Sequence, residues 1–156
     1  MYFMHTIMRK MFEGDGRVEA RVKWVEGRTF VGSSGSGHSI VLGSSTEPGG
    51  KTPGPSPMEL LLIGTGGCSS IDVVMILERG REPVAACECV VTAERATEDP
   101  KVFTKIHLHF IVSGRGLSAT KVERAVALSA EKYCSASIMM AKAAEVTHDF
   151  EVVELG

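Results

Sequence analysis

The 156-residue sequence has no run of lysine or arginine, and its 17 basic and 19 acidic side chains leave a formal charge of −2. Neither the whole chain nor any stretch of it pulls toward nucleic acid or an anionic membrane surface, so neither is an expected partner. The N-terminal stretch MYFMHTIMRKM lacks an unbroken apolar segment and a small-residue cleavage site after it, so it does not read as a secretory signal. Residues 1–18 are expected to be a loosely ordered leader, and 19–156 a single domain, because the chain is too short for two ordinary cores. There is no internal repeat at a fixed period. Cysteine is sparse, at four residues. Without an export signal the expected compartment is the reducing cytoplasm, where such thiols are free, catalytic or metal-bound rather than a stapled framework.

The residues present order themselves as an α+β chain. EARVKWVE, 19–26, puts Ala20, Val22 and Trp24 on one face and Arg21 and Lys23 on the other, the period-two pattern of a strand. Arg28–Val31 and Ser39–Leu42 continue it as a β-meander, and the Gly, Ser and Pro of residues 43–57 make a loop. Ser56-Pro57-Met58-Glu59 then carries a capping serine, a proline at the first helical position and a glutamate in capping-box register. The apolar run from Met58 to Leu77 is about membrane length, but Glu59, Asp72 and the glycines and serines around Cys68 favour a buried central helix, 57–79. Gly64, Gly66 and Gly67 each cost roughly 1 kcal/mol against alanine there, which predicts a close backbone approach or a bend. Residues 84–94 and 101–112 read as a long hairpin, 118–132 and 135–144 as helices, and 146–154 as a closing strand.

Cys68 falls inside the central helix and Cys134 in the break between the two later helices, so only tertiary structure can bring them together. From spacing alone, two such cysteines are more often inert core residues than a reactive pair. The strings SPMELLLIGTGGCSSIDVV and SAEKYCSAS, with ARVKWVEG, FVGSSGSGH and KIHLHFIVSG, resemble the OsmC-like family, which includes the organic hydroperoxide resistance proteins, and the YhfA-type branch of it most. The resemblance runs from about residue 19 to 154. It implies an intertwined homodimer in which β-meander and hairpin sheets wrap around the cysteine-bearing helices. It further implies a cofactor-free thiol peroxidase acting on organic hydroperoxides or hydrogen peroxide. In that chemistry Cys68 attacks the peroxide, Cys134 resolves the sulfenic acid as a disulfide, and a dithiol reductant restores the pair. An arginine from the N-terminal β region, here matched by Arg28 or by Arg21, lowers the Cys68 pKa, and a glutamate at the start of the helix holds it. That glutamate directly follows the proline in the family; here Met58 stands there and Glu59 comes one residue late, where it also fits a helix cap.

Further candidates each have a structural reading beside the functional one. Asp72, one turn after Cys68, is either a proton acceptor or a hydrogen-bonding anchor. Cys87 and Cys89 with His107 and His109 offer four ligand types, but in no recognised zinc spacing, so no metal is expected. His38 and His148 read as structural or pocket-lining, and Met139 and Met140 as core or pocket wall. A non-catalytic small-molecule binding or sensing protein that keeps the dimer pocket is the alternative to the peroxidase, motivated by Met58.

Overall fold

The computed structural model describes residues 18–156, and the expected leader otherwise lies outside them. The chain divides into two compact units, one ending at Pro57 and the other spanning Met58–Gly156.

The first unit is the expected meander: β1 (Ala20–Glu26), β2 (Thr29–Ser34) and β3 (Ser39–Gly43), each antiparallel to the next. The turn between β1 and β2 is made at Gly27, whose φ of +49° is a conformation that side chains other than glycine adopt at a cost. Every residue of β1 is exposed, including Val22 and Trp24. The alternation predicted the strand correctly, but a three-stranded sheet has no second layer of its own to cover the apolar face.

The second unit opens with helix α1 (Pro57–Arg79), then the hairpin β4 (Val84–Arg95) and β5 (Phe103–Gly114), helix α2 (Ala119–Leu128), a π-turn (Ser129–Tyr133), helix α3 (Ser135–Met140) and strand β6 (Glu145–Glu154). β5 is central, antiparallel to β4 and parallel to β6. A parallel pair needs a long crossover, and the helical stretch from α2 to α3 supplies it. Ile106, Leu108, Phe110 and Val112 of β5 are buried on one face, and Cys87, Cys89, Val91 and Ala93 of β4 lie opposite them in register. Val73 and Leu77 of α1, with Val122, Ala125 and Val126 of α2, pack on this face and close the core. Each fully buried Val, Leu, Ile or Phe among these contributes roughly 1.5–3 kcal/mol by leaving water.

α1 is long and apolar enough by length and composition to cross a membrane, yet it meets this core with one polar-lined face: Thr65, Gly66, Ser69, Asp72, Val73 and Leu77 are buried. Gly66 explains its own glycine, since a Cβ there would stand 2.8 Å from Val91 Cγ2. Gly64 and Gly67 have open space beside them, and Leu61, Ile63 and Ile71 are exposed in the single chain.

Candidate functional site

Two helical segments bring Cys68 and Cys134 together. Cys68 sits midway along α1. The π-turn widens the helix after α2 so that the Cys134 N–H donates to the Ser129 carbonyl at 2.9 Å, and the chain then turns extended at Cys134 (φ −72°, ψ 102°). Cys134 is therefore the N-cap of α3, with its sulfur in the place of a capping oxygen, accepting the Ser137 N–H at 3.3 Å. Both thiols are free, and the two sulfurs and an Asp72 carboxylate oxygen lie within 4.8 Å of one another.

The sulfurs have unequal surroundings. Cys134 is fully buried, which opposes its ionisation. Hydrogen bonds outweigh that burial: Ser137 donates, Ser69 Oγ donates at 3.0 Å, and the Cys68 thiol donates as well, so Cys134 sits below the ordinary thiol value. Cys68 is half-buried and sits above it, pushed up first by burial, against the Ala136 N–H, and further by Cys134 and by the Asp72 charge. The hydrogen bond between the pair thus runs from the Cys68 thiol to the Cys134 sulfur. Asp72, itself raised by burial, accepts from Ser129 Oγ at 3.5 Å, and the same hydroxyl lies 3.2 Å from the Ser69 carbonyl. Ser69, Ser129 and Ser137 were not singled out in the sequence. The only signal for them is position: one residue after Cys68, five before Cys134 and three after it.

Arg28 and Arg21 belong to the first unit. Arg28 donates to the Ser45 carbonyl at 2.9 Å beside a hollow of about 490 Å³, and Arg21 stands 3.7 Å from Glu19. Glu59 is in the first turn of α1. Nine helical steps of about 100° set it half a turn round from Cys68, about 13 Å along the axis. Cys87 and Cys89 lie under α1, where burial pushes Cys89 up to about 11 despite a hydrogen bond with Ser70. His107 and His109 alternate with the buried residues of β5 and leave the other face of the sheet, so the four-ligand set of Cys87, Cys89, His107 and His109 does not assemble. His38 is held locally, with Nδ1 3.3 Å from the Ser36 carbonyl, and His148 is a half-buried residue of β6. Met140 packs on the core, whereas Met139 is exposed rather than part of it.

The comparisons agree with this architecture. The family profile described as OsmC-like protein matches residues 48–149. Protein YhfA of Escherichia coli strain K12 is 55% identical over 136 residues, which is 87% of this chain and 98% of that protein. Among solved structures, a hypothetical protein from Aquifex aeolicus VF5 is 27% identical with a TM-score of 0.74, over 88% of this chain and 98% of its own. The organic hydroperoxide resistance protein OhrB of Bacillus subtilis has the same fold at 16% identity, with a TM-score of 0.60 over 86% and 98% of the two chains. With the two cysteines of its motifs brought to one buried site, the chain belongs to the OsmC-like family.

Proposed function

We propose that the protein is a cysteine-dependent peroxidase that reduces organic hydroperoxides or hydrogen peroxide through Cys68 and Cys134. The observation that carries this is the proximity of two free thiols, one of them held by hydrogen bonds from Ser69 and Ser137. Cys68 is the half-buried member and Cys134 the fully buried one, so a peroxide entering from solvent meets Cys68 first.

In the first step the Cys68 proton leaves, with Asp72 placed to accept it, and the thiolate attacks the outer peroxide oxygen. The O–O bond breaks, Cys68 becomes a sulfenic acid, and the departing alkoxide takes up a proton to become an alcohol. Cys134, whose thiol is held below its ordinary value, then gives up its proton and attacks the Cys68 sulfur, forming the disulfide and expelling hydroxide, which that proton converts to water. A dithiol reductant returns both cysteines to thiols and is itself oxidised to a disulfide. A family relative named for organic hydroperoxide resistance supports the choice of oxidant. The second copy implied by the resemblance fits the exposed Leu61, Ile63 and Ile71 on α1 and the open space beside Gly64 and Gly67.

The test is turnover of an alkyl hydroperoxide with a dithiol reductant. Cys68→Ser abolishes turnover, while Cys134→Ser leaves a single turnover that ends in a trappable sulfenic acid at Cys68. Steady turnover by Cys68→Ser, or a sulfenic acid at Cys134 in that variant, overturns the assignment.

A further inference from the structure

The outer face of the β4–β5–β6 sheet carries a cluster that the thiol chemistry does not use. His107 and His109 are alternate residues of β5, and β6 sets Thr147 beside His107 and Asp149 beside His109 in parallel register. Asp149 Oδ1 lies 2.5 Å from His109 Nδ1 and 3.2 Å from His107 Nε2. One carboxylate oxygen therefore faces two imidazole nitrogens, and the three groups have their ligand atoms within 4.8 Å of one another. The remaining ring nitrogen of His107, Nδ1, lies 2.8 Å from Thr147 Oγ1. A histidine that holds a metal commonly donates its other N–H in this way, which fixes the tautomer and aims the free lone pair. In the tautomer that donates Nδ1–H to Thr147 Oγ1, the Nε2 lone pair of His107 is left for an ion on the Asp149 side.

An ordinary cross-strand ion pair needs one imidazolium for one carboxylate. This cluster has a second imidazole converging on the same oxygen and a hydroxyl orienting it, an arrangement that a cation completes better than a proton does. The side chains are 39%, 33% and 60% exposed for His107, His109 and Asp149, so an ion reaches them without disturbing the core.

We propose that His107 Nε2, His109 Nδ1 and an Asp149 oxygen form a binding site for a divalent cation of the zinc class, with water filling the remaining position. Ligand bonds of about 2.0–2.2 Å to two nitrogens and one oxygen suit zinc, nickel, cobalt or copper rather than magnesium or calcium. The bound ion ties the edge strand β6 to β5.

The experiment uses the full chain with Cys68 and Cys134 both replaced by serine, so that these thiols do not compete. It is stripped with a chelator and titrated with zinc sulfate near neutral pH against a chromophoric chelator. One zinc per chain in the micromolar range is expected, with affinity weaker by roughly tenfold or more in Asp149→Asn and in His109→Gln, and by a smaller factor in Thr147→Val. Zinc should also raise the melting temperature of the parent and not of Asp149→Asn, since a ion that binds only the folded chain stabilises it. Asp149→Asn keeps its volume at an exposed position, so it reads binding rather than folding. Affinity equal to the parent in both the Asp149 and His109 variants, or no stoichiometric binding below millimolar zinc, overturns the proposal.

Discussion

Ser69, after Ser137, adds to the inequality between the two sulfurs. Its hydroxyl donates to Cys134 at 3.0 Å within a fully buried environment, where a hydrogen bond to a charge is worth about 1.5–3 kcal/mol. Ser69→Ala removes that donor and leaves Ser137 in place, so the Cys134 thiol should titrate higher. Thiolate absorbance of the Cys68→Ser background, followed against pH, measures it: the midpoint moves up in Ser69→Ala, and an unmoved midpoint contradicts the role given to Ser69. At this scale the sequence showed the cysteines through their motifs but not their supports. A serine next to a cysteine is common, and only the π-turn, which no periodicity announces, delivers the Cys134 sulfur to Ser69 of α1 and to the Ser137 N–H. The cationic partner expected for Cys68 stayed open between Arg28 and Arg21 because the glycine-rich loop leaves the register loose. The one-residue displacement to Glu59 carries that side chain to another face of α1.

Among the elements, α2 depends on an ion pair from outside itself. Glu82, in the turn between α1 and β4, accepts the Ser118 N–H at 2.9 Å and pairs with Lys121 at 2.5 Å, so it fastens the start of α2 while Ser118 caps it. The Lys121 hydrogen bond, then that of Ser118, hold the Glu82 carboxyl below its ordinary range. A carboxyl lowered by folding stabilises the native state above its unfolded pKa, and that stabilisation is lost as pH falls through the lowered folded value. Glu82→Gln should therefore lower the melting temperature at neutral pH, and the gap to the parent should close as the pH drops below the ordinary carboxylate range. A gap that persists at acid pH would assign the loss to packing. The elements themselves were legible: α1 from its cap and its apolar run, the hairpin from alternation, β6 from Val146, His148, Phe150 and Val152. The parallel pairing of β5 with β6 was not, because alternation marks a strand without naming its neighbour.

For the whole molecule, the apolar surface left on one chain is the main residue of the account. Val22 and Trp24 of β1 are 62% and 61% exposed, and Ile63 and Ile71 of α1 are each 60% exposed, values that isolated chains seldom show at so many large side chains. The intertwined homodimer proposed above gives this surface a cover. Gly67 tests it, because a Cβ there meets nothing within 4 Å in the single chain. Gly67→Leu should leave a lone chain folded and instead weaken a dimer that packs helix on helix, seen as a smaller species by sedimentation at micromolar concentration. An unchanged dimer would place the interface elsewhere.

The central claim is that Cys68 and Cys134 are one redox unit. Its most direct measurement is to add a slight excess of an alkyl hydroperoxide to the reduced protein, quench with an alkylating agent and map the cysteines by mass spectrometry. A Cys68–Cys134 disulfide is expected, with Cys87 and Cys89 recovered alkylated after unfolding. A Cys68 that reacts while Cys134 remains a thiol, or oxidation that falls on Cys87 and Cys89, would contradict it.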